Sequence, residues 1–168
     1  MENIEKIRHS LSHIMASAVL EFWPKTKLGI GPAIENGFYY DMALPAEAFG
    51  EGGNDAFLQK IENRMKELIK ENQKFIGKKV SKILAKKLFK NQPYKLELIK
   101  ELPGKTVTTY QNGNFLDLCK GGHVENTNQI DFNAFKLTKL AGAYWKGSEK
   151  NKMLTRIYGV AFKTEKEL

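Results

Sequence analysis

The chain's three histidines and single cysteine form two pairs with the same spacing. His9 and His13 lie four residues apart within a stretch of helical apolar spacing, so both imidazoles project from one helix face. Cys119 and His123 are also four residues apart, in the segment DLCKGGH that follows a predicted strand. Three imidazoles and a thiol suit tetrahedral zinc, and a thiol near imidazoles can also ionise to a nucleophile. We predict that these four side chains converge in one pocket.

Residues beside the Cys119–His123 pair could contribute to the same pocket. Asp117 precedes Cys119 by two residues, so both side chains point to one side of an extended strand. Its carboxylate could orient a histidine or accept a hydrogen bond from a substrate amine, and a surface carboxylate is the alternative. Gly121 and Gly122 allow the backbone to approach a ligand closely, or simply allow the chain to turn.

The elements that position these residues can be outlined from apolar spacing and turn residues. Helical spacing of apolar residues predicts helices at 4–23, 57–69 and 80–88, the first of them ended by Pro24. Apolar runs predict strands at 75–76, 96–98, 107–110, 115–118 and within 130–162. Helices early in the chain, followed by hairpins and strands, predict an α+β domain.

Two Asn-Gly pairs predict tight hairpin turns. Asn36-Gly37 precedes the strand-like FYY, and Asn112-Gly113 leads into FLDL. Both central residues of such a turn adopt positive φ, which asparagine and glycine tolerate. The segment 43–55 is rich in glycine and proline and has little periodicity, so it is predicted to be a loop and the most mobile part of the chain.

Length and composition bound the class of protein. A chain of 168 residues and 19.1 kDa, with 42% hydrophobic and 27% charged residues, predicts one soluble globular domain. No apolar stretch approaches the ~20 residues that span a bilayer, and the N-terminus lacks the apolar core of a signal peptide. A single cysteine excludes an internal disulfide and fits a reducing compartment, so we predict a cytoplasmic protein.

The charge balance indicates the kind of partner. A formal net charge of +8 and an isoelectric point near 9.4 favour phosphate-rich ligands, nucleic acid above all. Seven lysines on and before the third predicted helix are candidates for phosphate contacts: Lys74, Lys78, Lys79, Lys82, Lys86, Lys87 and Lys90. A lysine-rich coding bias and a solvated helix face are the alternatives.

Four segments together resemble the editing domain of bacterial threonyl-tRNA synthetase: RHSLSHIMASAV, IGPAIENGFYYD, DLCKGGHV and AGAYWKGSEKNKMLTRIYG. The resemblance covers residues 8–162, and IENGFYYD with the last segment is typical of the threonyl rather than the alanyl branch. It implies an antiparallel sheet packed with helices, and a single editing domain over 1–168. It also implies hydrolysis of mischarged seryl-tRNA(Thr) to serine and tRNA(Thr), as part of a threonine–tRNA ligase.

The same resemblance implies roles for individual residues. The implied catalytic residues are His9, His13, Lys95, Asp117, Cys119 and His123. The implied substrate-binding residues are Tyr110, on an adjoining strand, together with Gly121 and Gly122. Lys95 matches a lysine near the scissile ester, where it could activate water or stabilise the developing oxyanion.

The resemblance leaves open whether a metal is bound. Alanyl-type relatives hold zinc on this constellation, whereas threonyl-type editing sites are usually described without it. Four protein ligands would leave no coordination position for an activated water, so we predict hydrolysis that requires no cofactor. Zinc remains the alternative, with His9, His13, Cys119 and His123 as its candidate ligands.

The implied partners are the aminoacyl end of tRNA(Thr) and, if the chain is a fragment, the remainder of the synthetase, with no membrane. Two competing functions remain. One is a free-standing editing protein of the alanyl type, and the other is a zinc module that binds tRNA without catalysis.

Overall fold

The computed structural model describes residues 3–168 and has an α+β fold, which confirms the predicted class. The described α-helices are α1 (Asn3–Phe22), α2 (Gly53–Ile69), α3 (Lys82–Leu88) and α4 (Pro93–Glu101). The strands are β1 (Lys27–Leu28), β2 (Ala33–Ile34), β3 (Gly37–Ala43), β4 (Ile76–Ser81), β5 (Thr106–Asn112), β6 (Phe115–Leu118), β7 (Phe135–Tyr144) and β8 (Met153–Ala161). None of the helices within residues 3–168 has the length and apolar character to cross a bilayer.

The larger sheet is antiparallel and carries α1 and α2 on one face. Its strands run in the order β1-β3-β8-β7, and β2 pairs with β3. Leu11 and Ile14 of α1, Phe38 of β3, Ile61 of α2 and Ile157 of β8 are all completely buried between these layers. Burial of each such side chain contributes about 1.5–3 kcal/mol, so the apolar stripe of α1 fixes which of its faces is turned inward.

The smaller sheet is antiparallel, has the order β4-β5-β6, and packs with α3 and α4. It has a second apolar core that includes Val80, Ala85, Phe89, Ile99 and Val107. The predicted site residues come from both parts of the fold. Helix α1 packs on the larger sheet, whereas β6 is a strand of the smaller sheet and α4 packs with it. The site can therefore form only where the two sheets meet.

The predicted strand at 96–98 is wrong, because these residues lie in α4. Pro93 occupies the first turn of this helix, where its fixed φ suits a helix start and its missing N–H removes no hydrogen bond. Lys95 and Ile99 are the buried positions of α4 and are four residues apart, a helical and not a strand spacing. Leu96 and Leu98 alternate as in a strand with one buried face. Both side chains are only half-buried, so their alternation does not mark such a face.

The third predicted helix begins later than the apolar spacing indicates. Val80 belongs to β4, and α3 starts after Ser81, whose hydroxyl accepts a hydrogen bond from Leu84 N at 3.1 Å as an N-cap. The segment 43–55 is also more ordered than a loop. It contains a short 3₁₀ helix at Ala46–Ala48 and the first turn of α2.

Both hairpins are present, but each turn lies one residue away from the predicted position. Ile34 pairs with Gly37, so Glu35 and Asn36 are the central residues of the first turn, and only Asn36 has positive φ, at 62°. A Cβ on Gly37 would lie 2.0 Å from the Gly159 carbonyl oxygen, so this glycine allows close contact between strands. Asn112 likewise ends β5 and is buried, which leaves Gly113 and Asn114 in the second turn.

Candidate active site

The histidine and cysteine side chains meet where α1 packs against the loop that follows β6. The ligand atoms of His9, His13, Cys119 and His123 all lie within 4.8 Å of one another. Cys119 Sγ is 3.4 Å from His9 Nε2 and 3.6 Å from His123 Nε2. The Nε2 atoms of His13 and His123 are 3.1 Å apart. The structure therefore brings together the two pairs that the sequence shows with i,i+4 spacing.

Hydrogen bonds tie the loop after β6 to α1. Ser10 Oγ accepts a hydrogen bond from Val124 N at 3.0 Å, and the same hydroxyl donates to the Lys6 carbonyl at 2.7 Å. His9 Nδ1 lies 3.3 Å from the Gly122 carbonyl oxygen. When Nδ1 carries the proton and donates to this carbonyl, Nε2 of His9 is left as an acceptor.

A buried ion pair lies beside the imidazoles. Lys95 Nζ, from α4, is 2.7 Å from Asp117 Oδ1, and both side chains are only 3% exposed. The Tyr40 hydroxyl donates to Asp117 Oδ2 at 2.7 Å, Leu118 N donates to Oδ1 at 2.7 Å, and His13 Nε2 is 3.7 Å from Oδ2. Burial alone would raise the pKa of Asp117, but the Lys95 ammonium beside it holds that pKa below its ordinary value.

Tyr40 is a site residue that the sequence reasoning missed. Phe38, Tyr40 and Met42 alternate on the face of β3 that is buried toward α1, and each is completely buried. A buried tyrosine hydroxyl needs a hydrogen-bond partner, and Asp117 supplies it. The FYY segment contained the signal, but which of Tyr39 and Tyr40 faces inward depends on how β3 packs in the sheet, which local pattern does not determine.

Burial keeps the imidazoles neutral and the thiol protonated. It lowers the pKa of His13 to about 4, and together with the neighbouring imidazoles it lowers the pKa of His123 to about 2. Burial also lowers the pKa of His9. The pKa of Cys119 is raised to about 11, again mainly by burial, so a thiolate nucleophile is disfavoured near pH 7. The imidazoles are therefore available as proton acceptors.

Tyr110 forms the wall behind His123. The two ring centroids are 4.6 Å apart, and two glycines make room for the tyrosine ring. A Cβ on Gly77, its cross-strand partner, would lie 2.6 Å from the ring, and a Cβ on Gly121 would lie 2.8 Å from the hydroxyl oxygen. Gly121 also has a φ of 117°, a conformation that favours glycine.

Two adjoining cavities open beside this cluster. The smaller has a volume of about 190 Å³ and is lined by His9, His13, Ile30, Gly31, Pro32, Lys95, Asp117, Leu118 and Cys119. The larger, of about 670 Å³, is lined by Ile4, Glu5, Arg8, His9, Pro32, Ala33, Ile34, Glu35 and Gly121. Because His9 and Pro32 line both, the cavities can hold two parts of one ligand, with His9 at their junction.

The structure divides the predicted site residues into those that face a cavity and those that support it. His9, His13, Lys95, Asp117 and Cys119 line the smaller cavity, and Gly121 lines the larger one. His123, Tyr110 and Gly122 line neither of these two cavities. They contact the lining residues from behind, through the imidazole cluster, the ring packing and the Gly122 carbonyl.

The chain is similar to known proteins of one kind over nearly its whole length. Residues 107–158 match the family described as threonyl and alanyl tRNA synthetase second additional domain. The chain is 52% identical to a threonine–tRNA ligase of Dehalococcoides mccartyi over 162 residues, which are 96% of this chain and 27% of that protein. Residues 107–158 carry this domain.

Two further relatives are similarly close. The chain is 51% identical to a threonine–tRNA ligase of Borreliella burgdorferi, over 97% of this chain and 27% of that protein. It is also 51% identical to one of Thermotoga petrophila, over 98% of this chain and 25% of that protein. The resemblance to the threonyl branch is thereby confirmed, and the chain spans about a quarter of the length of these relatives.

The buried neutral imidazoles predict that the domain loses stability in mild acid. The pKa of His13 is about 4 in the folded chain and about 6.5 when unfolded, so the unfolded state binds an additional proton between these values. We expect protonation of His13 alone to lower the free energy of unfolding by about 3 kcal/mol as the pH decreases from 7 to 4, and His123, whose pKa is about 2, to add to this loss. Urea unfolding at several pH values, with a chelator present, measures this loss.

The His13→Gln variant is the control for this prediction, because glutamine does not titrate. Its free energy of unfolding should change less than that of the parent over the same pH range. An equal change in both proteins would contradict the assignment of the acid sensitivity to His13.

Proposed function

We propose that this domain hydrolyses the ester of seryl-tRNA(Thr), releasing serine and tRNA(Thr). The observation that carries this proposal is the smaller cavity, where the neutral imidazole of His9 faces the Lys95–Asp117 ion pair. A proton acceptor and a hydrogen-bond donor on one small cavity are what ester hydrolysis by water requires. The similarity to proteins named threonine–tRNA ligase supports the same reaction.

The residues suggest separate roles in this reaction. His9 Nε2 accepts a proton from the attacking water, and the new oxyanion is stabilised by the Lys95 ammonium. His9 then returns the proton to the departing ribose oxygen, which leaves serine and a free tRNA end. The Asp117 carboxylate attracts the α-ammonium of the seryl group, while Tyr40 and Lys95 hold that carboxylate in place.

The two cavities suit the two parts of an aminoacyl-adenosine. The smaller one is suited to the seryl group, and the larger one, which adjoins it at His9, is suited to the terminal adenosine. We place the ester at the junction, within reach of the His9 imidazole.

The protein would act in the cytoplasm as part of a threonine–tRNA ligase, because its relatives carry that name.

The four N and S donors fit zinc. Tetrahedral zinc, with Zn–N near 2.0–2.1 Å and Zn–S near 2.3 Å, needs donors roughly 3.3–3.6 Å apart. Three of the six separations among His9, His13, Cys119 and His123, of 3.1, 3.4 and 3.6 Å, are close to these values, and all six are within 4.8 Å. A zinc ion held by all four would have a closed shell, so it would supply structural cross-linking and no activated water.

We propose that hydrolysis does not require this metal. We expect the purified protein to hold well under one equivalent of zinc, and to hydrolyse seryl-tRNA equally well before and after dialysis against a chelator. Elemental analysis and single-turnover rates measure both. Stoichiometric zinc that resists mild chelation would contradict the prediction and would favour the alanyl-type alternative.

The proposed reaction predicts discrimination between serine and threonine. An aminoacylation site that accepts threonine rejects serine by only about 1–3 kcal/mol, because the two amino acids differ by one methyl group. The smaller cavity would reverse that preference by size. Its wall includes Ile30, Gly31 and Pro32, and Gly31 can contribute only backbone, which cannot swing aside.

We expect seryl-tRNA(Thr) to be hydrolysed at least about 10-fold faster than threonyl-tRNA(Thr), since an additional methyl in a packed site costs about 1–3 kcal/mol. Single-turnover deacylation of both esters measures this ratio, and alanyl-tRNA(Ala) tests the alanyl-type alternative. Equal rates for serine and threonine would contradict the editing function. Binding of tRNA without any hydrolysis would favour the non-catalytic alternative.

A further inference from the structure

Lys95 reaches the candidate site from a helix that packs with the smaller sheet. The buried side chains of α4 are Lys95 and Ile99, and Ile99 belongs to the smaller core. His9 and His13 are on α1, which packs on the larger sheet. The distance between the Lys95 ammonium and the His9 imidazole therefore depends on how α4 is held against the larger sheet.

A second face of α4 contacts the turn between β7 and β8. Tyr94, Glu97 and Glu101 are three and four residues apart, so they share one face of the helix. The turn contains a short 3₁₀ helix at Trp145–Gly147, and its side chains bind those of this face. Because β7 and β8 are strands of the larger sheet, the turn connects α4 to that sheet.

Trp145 is at the centre of this contact and is only 5% exposed. Its indole Nε1–H donates to Glu97 Oε2 at 2.7 Å, and its ring centroid is 4.9 Å from that of Tyr94. Lys146 pairs with the same carboxylate, Nζ to Oε1 at 3.1 Å, and also with Glu101. A buried indole N–H needs an acceptor, so the hydrogen bond to Glu97 fixes where α4 lies on the turn.

Hydrogen bonds hold the turn itself in one conformation. Trp145 N donates to the Lys152 carbonyl at 2.9 Å, and Asn151 Nδ2 donates to the Trp145 carbonyl at 2.8 Å. Lys146 has a φ of 57°, a left-handed conformation that lysine rarely adopts unless its surroundings hold it there. The turn is therefore a fixed support for α4.

Another contact with the larger sheet lies at the start of α4. Gln92 Oε1 accepts a hydrogen bond from Leu28 N of β1 at 2.7 Å, and Gln92 Nε2 donates to the Thr26 carbonyl at 3.1 Å. Strand β1 belongs to the larger sheet, as does the turn after β7. The larger sheet thus holds α4 at two points, Gln92 and Glu97, and Lys95 lies between them in the helix.

We propose that Trp145 is a positioning residue that holds α4 so that the Lys95 ammonium faces the smaller cavity. Trp145 lines neither of the two cavities described above, so its effect reaches the site through α4. The role of Lys95 in hydrolysis rests on the proposed function, whereas its ion pair with Asp117 does not.

The first test replaces Trp145 by phenylalanine. Phenylalanine keeps a ring against Tyr94 but cannot donate a hydrogen bond to Glu97. We expect kcat for seryl-tRNA(Thr) to fall by about 10- to 100-fold, because a catalytic group misplaced by about 1 Å costs up to about 100-fold. KM should stay that of the parent, since Trp145 does not line the cavities.

Trp23→Phe is the matched control. Trp23 is the other tryptophan of the chain, stacks on Phe57 at a centroid distance of 5.3 Å, and lines neither cavity. This variant should hydrolyse seryl-tRNA(Thr) at the rate of the parent. Equal losses in the two tryptophan variants, or a change in KM alone for Trp145→Phe, would contradict the positioning role.

A double variant decides whether Trp145 acts through Lys95. In Lys95→Met no ammonium remains to be positioned, so the addition of Trp145→Phe should not slow hydrolysis further. A further loss as large as the one in the parent would show an independent effect of Trp145, and the proposal would be wrong.

The exposed partner Glu97 gives a test that leaves the buried indole in place. Glu97→Gln keeps an oxygen that accepts the indole N–H, whereas Glu97→Ala does not. We expect Glu97→Ala to be as slow as Trp145→Phe, and Glu97→Gln to retain most of the parent rate. Equal rates in the two Glu97 variants would show that this hydrogen bond does not position α4.

Acetylation of Lys95 separates this proposal from the proposed function. The side chain is 3% exposed and paired with Asp117, so acetic anhydride should modify it slowly in the parent. In Trp145→Phe, mass spectrometry should find Lys95 modified at least about 10-fold faster, because its amine is exposed only when α4 moves. Trp23→Phe should resemble the parent.

Equal acetylation of Lys95 in the parent and both tryptophan variants would overturn the proposal, whatever the rates of hydrolysis. If the parent hydrolyses no seryl-tRNA, the proposed function fails, whereas the acetylation of Lys95 still decides whether Trp145 holds this lysine in place.

Discussion

Replacing Lys95 by methionine is expected to slow hydrolysis by about 100- to 1,000-fold and to destabilise the fold. Loss of a positioned oxyanion donor costs about 100- to 1,000-fold in kcat. The same change leaves the Asp117 carboxylate buried without its cation, and removal of one partner of a buried ion pair costs about 3–5 kcal/mol. Single-turnover deacylation of seryl-tRNA and urea unfolding measure the two effects.

The double variant Lys95→Met with Asp117→Asn separates catalysis from stability. It removes both charges, and the asparagine oxygen can still accept the hydrogen bond from Tyr40. We expect the double variant to recover most of the free energy of unfolding lost in Lys95→Met. Its rate of hydrolysis should stay as low as that of Lys95→Met. Recovery of hydrolysis in the double variant would show that the ammonium has no chemical role.

Replacing His9 by alanine is expected to lower kcat for seryl-tRNA by about 100- to 10,000-fold, the usual effect of removing a general base. His9 is half-buried at the junction of the two cavities, so the fold should tolerate the change better than a change at His13. Single-turnover rates test the loss in kcat, and urea unfolding tests whether stability is kept. Retention of more than a tenth of the parent rate would exclude His9 as the base.

The pH dependence of the parent enzyme gives an independent test of the same role. Only neutral His9 accepts a proton, and burial lowers its pKa from the ordinary 6.5, so the rate should be constant near pH 8 and fall in acid with a midpoint below 6.5. Because the pKa of the Cys119 thiol is about 11, we also expect no covalent seryl-enzyme in acid-quenched reactions. A rate that rises with pH up to 9 would instead indicate the thiolate.

The sequence by itself determined the local features of the site. Helical spacing over 4–23 determined that His9 and His13 share one face of α1, because residues four apart are neighbours on any helix. The strand before Cys119 and the glycines after it were equally readable, since turns and short strands depend on adjacent residues. The uneven distribution of lysine can be read from the sequence as well, without any knowledge of packing.

Only the tertiary structure decided how distant segments complete the site. Local pattern predicted a strand at 96–98, directly after Lys95, whereas these residues form α4, which packs so that the Lys95 ammonium reaches Asp117, 22 residues further along the chain. Tyr40 became a site residue because β3 packs with the face of Phe38, Tyr40 and Met42 buried, which turns the Tyr40 hydroxyl toward Asp117. Periodicity reports contacts within a few residues, but the partners of a buried charge are chosen by packing between elements far apart in sequence.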